Sequence, residues 1–364
     1  MPHPYGNNIK LDIRGGSHDP EISMTLSGLP AGIAVDMTVL QAFLARRAPG
    51  QNAWSTPRRE VDQPHFKSGM TQGEDGLLYT DGSPIEAVIY NTNTRSQDYD
   101  FDVPRPGHAD LAARLKYGDA VDLRGGGHFS GRLTALMCVA GGICLQYLAT
   151  KGIRIGAHAL CIGGVYDAYL HPLDNGVADF DHLAERDFPT LDYTSGEKMK
   201  AVIAEARAEG DSVGGLIECR VSGVPAGLGE HMFRSVEGAI SEAVWGIPAV
   251  KGISFGAGFE VAEMRGSENN DPILILPYGS DIYTATNFAG GILGGMTYGM
   301  PILFTVAIKP TPSIAKEQDS ISLSGMTNTK LKIEGRHDPC IVPRAVPVVE
   351  AAAALAMVDL LLDE

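Results

Sequence analysis

LTALMCVAGGICLQYLAT, residues 133–150, runs for 18 residues without a charge between Arg132 and Lys151. At that length it brushes the threshold for crossing a membrane. Thr134, Gly141, Gly142, Gln146 and Tyr147 interrupt the apolar run, so a helix buried in a soluble core is the better reading. Working outward, the glycine run Gly125-Gly126-Gly127 separates this helix from a helical stretch beginning near His108. Upstream, Ile22-Ser23-Met24-Thr25-Leu26 alternates as a half-buried strand does. Val35 to Arg47 carries apolar residues at helical spacing, with Asp36 as N-cap and Pro49-Gly50 as the stop. Ile85 to Ile89 reads as extended. Downstream come a charged helix over Met199–Glu209, a strand over Gly215–Val221 and a helix over Ala239–Trp245. Strands over Gly252–Gly256 and Pro301–Ile308 and an alanine-rich helix over Val346–Leu362 follow. His171 to Asp192 has weak periodicity and reads as a surface excursion.

The 364 residues allow one large domain or two, and no Ser- or Pro-rich linker divides them. One domain over 1–364 with long functional loops is expected. The 44 glycines and 22 prolines follow no period, which excludes collagen and repeat arrays. Asp and Glu number 44 against 29 Lys and Arg, a net charge of -15. A chain so acidic is a poor binder of nucleic acid or anionic membrane. Any anionic ligand must be held by a local basic cluster. The five cysteines show no C-x-x-C spacing and their number is odd, so neither a disulfide framework nor a zinc ribbon is expected. No apolar secretory segment opens the chain. These features predict a reduced, cytoplasmic protein.

Three loops place a histidine beside glycine, arginine and a carboxylate: Arg14–Asp19, Arg105–Asp110 and Gly335–Cys340. An accessible imidazole titrating near neutrality suits proton transfer. Turn histidines with no task have the same local look, so each loop alone decides little. Arginines come in pairs, Arg46-Arg47 and Arg58-Arg59, or bracket the glycine run as Arg124 and Arg132 do. Guanidinium forks match phosphate and carboxylate oxygens, although solvated surface charge produces such pairs too. Gly290–Gly295 and Lys309–Ser313 could cradle phosphate, but neither is a P-loop and tight-turn packing explains each equally well. His337, Asp338 and Cys340 lack a zinc signature, and no metal is expected.

Taken in order, these segments resemble the chorismate synthase family, from Gly15 to about Leu361. They include Gly-Gly-Ser-His (15–18), Arg-Arg-Ala-Pro-Gly-Gln (46–51), Arg-Arg-Glu (58–60) and Asn-Thr-Asn-Thr-Arg-Ser-Gln-Asp-Tyr (91–99). Arg-Pro-Gly-His-Ala-Asp (105–110), Arg-Gly-Gly-Gly (124–127), Gly-Asp-Ser-Val-Gly-Gly (210–215) and Gly-Ala-Gly-Phe (256–259) continue the series. Met-Arg-Gly-Ser-Glu-Asn-Asn-Asp (264–271), Ala-Gly-Gly-Ile-Leu-Gly-Gly (289–295), Lys-Pro-Thr-Pro-Ser (309–313) and Gly-Arg-His-Asp-Pro-Cys (335–340) complete it.

The resemblance implies an α+β fold, a β-α-β sandwich with helices between antiparallel sheets, assembled as a homotetramer. It implies a shikimate-pathway lyase that converts 5-enolpyruvylshikimate 3-phosphate to chorismate and phosphate by anti-1,4-elimination. Reduced FMN is the implied cofactor, with NADPH a candidate reductant. By resemblance, His18 protonates the departing phosphate, helped by Ser17, His108 protonates reduced FMN, and Asp338 assists removal of the ring proton through the flavin N5. Arg46, Arg47, Arg105, Arg132 and Arg336 would bind the polyanionic substrate. The flavin would contact Arg47, His128, Phe129, Ser130, Pro248, Ala249, Gly294, Lys309, Pro310, Thr311, Pro312, Ser313 and Arg336.

The sequence also departs from the family pattern. Gly-Glu-Ser-His-Gly reads Gly-Gly-Ser-His-Asp here, which puts Asp19 beside the histidine. Ala48 and Ala53 replace arginines, and the flavin loop carries His128 and Phe129 in place of arginine and serine. The alternative reading is therefore a non-catalytic flavin-binding protein, or a divergent paralogue acting on a related phosphorylated cyclohexene.

Overall fold

Two antiparallel sheets face each other across a layer of helices, the sandwich expected from the resemblance. The computed structural model describes residues 4–50, 54, 60–91, 102–174, 178–275, 282–333 and 338–363. Within these, the helices are α1 (Met37–Arg47), α2 (Asp110–Tyr117), α3 (Thr134–Thr150), α4 (Ala178–Glu185), α5 (Tyr193–Ala208) and α6 (Val236–Trp245). The single-turn α7 (Gly266–Asn269) and α8 (Val342–Leu361) complete them.

The N-terminal sheet has the spatial order Lys10–Arg14, Glu21–Ser27, Ile85–Tyr90, His65–Ser68. Ile22, Met24 and Leu26 all point inward, opposite Ile89, Ala87 and Ile85, which is why this strand alternates in sequence. The central sheet runs Val250–Phe255, Ile302–Ile308, Gly215–Ser222, Arg154–Ile162, Val165–Tyr166. The helix α3 touches strands of both sheets, and α8 lies along Arg154–Ile162 and Gly215–Ser222.

Those two helices are the middle of the sandwich. In α8, 18 of 20 residues are buried, so it must be apolar on every side. It starts at Val342 and runs through Pro347, earlier than its periodicity suggests. Its alanines let α3 come close: a Cβ on Gly141 would stand 2.4 Å from the Cβ of Ala351. The few polar groups here are all engaged. Glu350 takes both guanidinium arms of Arg46 and the N–H of Ala157. Asp359 accepts the N–H groups of Asn7, Asn8 and Ile9, which sews α8 to the start of the first sheet.

From Ala178 to Asp192 the segment expected as a surface excursion packs onto the sheet. Phe180, Leu183 and Phe188 are buried, and α4 lies on the Arg154–Ile162 strand. Phe180 fills the space above Gly156, where a Cβ would fall 2.2 Å from its ring, and stacks 4.6 Å from the Arg220 guanidinium. Beside it, His158 is held on both ring nitrogens, by Asp167 at 3.1 Å and Glu218 at 2.9 Å. A sheet face covered this way buries polar and aromatic groups at irregular intervals, and no simple periodicity marks it.

Candidate active site

The loop 15–20 joins the first two strands and lies against the glycine run before α3. The Ser17 N–H donates to Gly127 O at 3.2 Å, and its hydroxyl donates to Arg124 O at 3.1 Å. Ser17 Oγ also lies 3.3 Å from His18 Nδ1. Gly125, Gly126 and Gly127 have φ of 60°, 91° and 50°, left-handed values that glycine adopts without strain. A Cβ at Gly125 would stand 2.2 Å from His18 Cε1, so this glycine makes the room the imidazole occupies. Sequence reasoning brought these two loops to one site, and here they touch.

His128, at the substituted position, has its Nδ1 3.2 Å from Gly15 O. It therefore braces the histidine loop. Phe129 meets the His128 ring edge-on, with centroids 6.1 Å apart. Ser130 caps the following turn by accepting the Arg132 N–H at 3.2 Å.

Behind the loops lies a buried ionic hub. Asp62 binds one arm of Arg47, from the last turn of α1, and one arm of Arg132. Arg132 Nε donates to Asn91 Oδ1 at 2.9 Å, and Asn91 in turn holds the carbonyls of Gly16 and Asp19. Glu60 stands 3.6 Å from Arg132. Burial pushes the Asp62 carboxyl up, but the charges and hydrogen bonds of Arg47 and Arg132 outweigh it and hold the group below the usual carboxylate range. Arg132 is 5% exposed, and its remaining nitrogen, Nη2, has no hydrogen-bond partner among the described residues. A buried donor of that kind costs stability unless something accepts from it.

The network continues into α8. Arg344 donates to Arg47 O at 2.9 Å and to Asp338 Oδ2 at 2.6 Å. Pro339 O accepts from Val213 N at 2.9 Å, and the neighbouring Ser212 hydroxyl donates to Thr311 O at 2.6 Å. In the Lys309–Ser313 loop, Ser313 Oγ lies 2.7 Å from His108 Nε2, and Lys309 donates to Gly107 O. The Lys309 backbone N–H donates to Ala249 O at 3.0 Å; Ala249 has φ 78°, an uncommon left-handed conformation for alanine, and follows the exposed Pro248. Burial and the charge of Lys251 push the Lys309 pKa down. Thr311 Oγ1 is buried with no hydrogen-bond partner among the described residues. Pro312 packs on Gly107, 2.9 Å from where a Cβ would lie.

One continuous set of contacts thus joins Ser17, His18, His128, Ser130, Arg132, Arg47, Asp338, Lys309–Ser313, Ala249 and His108. Of the other expected residues, Arg105 borders this set through the His108 turn, while Arg46 and Gly294 are engaged elsewhere. Arg46 turns to Glu350, with its two bonds at 2.6 and 2.8 Å, because consecutive helical residues point about 100° apart. Arg105 gives its fork to Asp110, at 2.7 and 2.9 Å, and so shapes the turn that carries His108. Burial raises the Asp110 carboxyl, and the bonds and charge of Arg105 more than reverse that. Gly294 lies in the Ile292–Thr297 hairpin, which is tied to Gly227, Leu228 and Val236. Arg336 falls outside the described residues, as do His337 and Arg58-Arg59.

Asp62, Asn91, Ser212 and Arg344 had no role in the sequence reading. Arg344 carried one usable signal. A cation in the first turn of a helix opposes the macrodipole, so its presence there calls for a partner.

Guanidiniums gathered in this way on an acidic chain, held by a rigid helix layer, mark the class: an α+β enzyme whose substrate is an anion. A family model described as Chorismate synthase matches residues 9–362. The chorismate synthase of Lancefieldella parvula is 46% identical, with 99% of this chain and 96% of that one covered. The chorismate synthase of Korarchaeum cryptofilum is 43% identical, with 98% and 96% covered. A crystal structure of chorismate synthase superposes with a TM-score of 0.76 at 27% identity, covering 99% of this chain and 93% of that one. The chain belongs to the chorismate synthase family, and with it to the lyases.

Proposed function

We propose that this chain converts 5-enolpyruvylshikimate 3-phosphate to chorismate and phosphate, with reduced FMN as cofactor. The observation that carries the reading is the Ser17-His18 loop seated on Gly125–Gly127, next to the buried Arg132 whose Nη2 has no acceptor among the described residues. That donor and Thr311 Oγ1 are orphaned buried polar atoms, and a ligand bearing phosphate or carbonyl oxygens would satisfy both. The residues present therefore fit a phosphorylated flavin and substrate.

In the elimination a ring C–H and the C–O bond to phosphate break and a ring double bond forms. His18, aligned by Ser17, supplies a proton to the departing phosphate. Arg47 and Arg132 neutralise its charge, with Arg336 completing the binding set. Asp338 assists removal of the ring proton. His108, fixed by Ser313, holds a proton beside the flavin, whose bound edges would be His128–Ser130, Pro248-Ala249, Gly294 and Lys309–Ser313. Reduced FMN supplies electron density to the reacting ring system.

NADPH is the proposed reductant of the flavin. Homotetramer formation is favoured by apolar side chains left in water at Phe259, Ile273, Ile275 and Ile282, 87%, 69%, 70% and 68% exposed. Five unpaired, buried cysteines suit a cytoplasmic setting. The altered His128-Phe129 loop favours a second reading, a paralogue acting on a related phosphorylated cyclohexene.

The test is anaerobic phosphate release with chemically reduced FMN, scored together with chorismate formation. Turnover is expected with reduced FMN and none with oxidised FMN. Phosphate release without chorismate from a cyclohexene analogue would favour the paralogue. No release from any such substrate would leave only a flavin-binding role.

A further inference from the structure

We infer that Arg344 is a positioning residue for the elimination: it holds the Asp338 carboxylate in register with Arg47. The inference rests on the role proposed above for Asp338. Arg344 is the third residue of α8, and its two bonds run to Asp338, six residues before it, and to Arg47, 297 residues away. One guanidinium nitrogen donates to Asp338 Oδ2 at 2.6 Å, and Nε donates to the Arg47 carbonyl at 2.9 Å. A planar fork presents donors to both in a fixed geometry, which a flexible ammonium does not reproduce.

The location is unfavourable for a cation on every local count. The N-terminal turn of α8 carries no acidic residue, its N-cap Ile341 makes no side-chain cap, and the macrodipole there opposes positive charge. The side chain is 18% exposed; burial pushes its pKa down, Asp338 and Asp62 oppose that, and the charges of Arg47 and Arg132 add to it. A residue kept where burial, dipole and neighbouring cations all act against it is retained for what it contacts. The backbone at Asp338 is itself pinned, because Pro339 O accepts from Val213 N and Cys340 is buried. The bond from Arg344 then directs the carboxylate on that fixed backbone. Through the Arg47 carbonyl, the same guanidinium ties Asp338 to the end of α1 and hence to the Asp62 hub.

The experiment combines a double-mutant cycle with a crystal structure. Arg344→Ala should lower kcat by about 10²-fold, the scale of a displaced acid–base group, with KM for the substrate changed by less than about threefold. Arg344→Lys should recover part of kcat. Asp338→Asn combined with Arg344→Ala should be no slower than Asp338→Asn alone, since a positioning residue has nothing left to position. A crystal structure of Arg344→Ala, without ligands, should show the Asp338 side chain turned away from the Arg47 carbonyl.

Multiplying effects in the double variant, a loss confined to KM, or an unmoved Asp338 in the crystal structure would each overturn the inference. Full turnover in Asp338→Asn would remove Asp338 from the reaction, and the positioning role with it. A parent protein that releases no phosphate would instead sink the proposed function. The crystal structure would still decide whether Arg344 fixes Asp338.

Discussion

Two buried ionic hubs in this molecule have inverse composition. At the loops, the carboxylate of Asp62 stands between two guanidiniums, Arg47 and Arg132, with Glu60 at 3.6 Å from Arg132 on the rim. Beneath α4, one imidazole, His158, stands between two carboxylates, Asp167 and Glu218. The second hub is closed. Asp167 also accepts the N–H groups of Leu191 and Asp192, and Glu218 accepts that of Leu170. The first hub is open, because Arg132 keeps a buried N–H group with no acceptor among the described residues. Burying charge carries a desolvation cost in both places. A closed hub spends it on holding chain to chain, as His158 ties Asp167, and through it Leu191 and Asp192, to the sheet. An open hub leaves part of that cost to be offset by a ligand.

Deleting the centre of either hub should have the largest effect on stability. Asp62→Ala and His158→Ala should each cost about 3–5 kcal/mol in urea unfolding, because each removes the partner of buried charged groups: Arg47 and part of Arg132 in the first, Asp167 and Glu218 in the second. Turnover per folded molecule separates them: a loss of about tenfold or more is expected for Asp62→Ala, and little change for His158→Ala. If both variants lost turnover alike, the distinction between open and closed hubs would be wrong.

Titration should sharpen the contrast. Burial pushes the His158 pKa down, but its bonds to Asp167 and Glu218 win and raise it above the ordinary value. Its contribution to stability is therefore complete below the unfolded-chain value, roughly 6.5, and lost as pH rises through the folded one. Asp62 runs the other way. With its folded pKa below the ordinary carboxylate value, its contribution is present above that ordinary value and lost as acid is added. Asp167 is lowered as well, so acid weakens both hubs, and the alkaline arm belongs to His158. The difference in urea midpoint between parent and His158→Gln should shrink from about pH 6 to about pH 9. A constant difference would mean that His158 is held neutral.

The smallest expected effect is at Ser313. Ser313→Ala removes one hydrogen bond from His108, worth about 1 kcal/mol or roughly fivefold in turnover. Unchanged kinetics would leave His108 positioned by the Arg105–Asp110 turn alone.

Much of the fold was legible because its cause is local. The uncharged run of α3 and the alternation of Ile22, Met24 and Leu26 are periodicities that burial imposes on neighbouring residues. The histidine loops were legible for a similar reason, since glycines crowd around a side chain that needs room. Partnerships were not. Arg46 and Arg47 look like one pair in sequence, yet a helix sends one to Glu350 and the other to Asp62. Arg344 lies ahead of the expected start of the last helix, and its partner Arg47 is 297 residues away. Nothing near Asp62 announces that two arginines converge on it. Within the expected excursion, 178–192 was misread for the same reason: its order comes from His158, Gly156 and Arg220, all on other strands.

The bonds from Asn7, Asn8 and Ile9 to Asp359 also set a timetable. Ile9 and its acceptor are 350 residues apart, and α8 is the helix on which the middle layer closes. At a synthesis rate of about 5–20 residues per second, roughly 20–70 s pass between the first strand and its partner. Throughout that interval α3 and the inner faces of both sheets lack the surface that will cover them. Strands made early must wait in water, or in some helper's grip, until α8 emerges and the sandwich can shut.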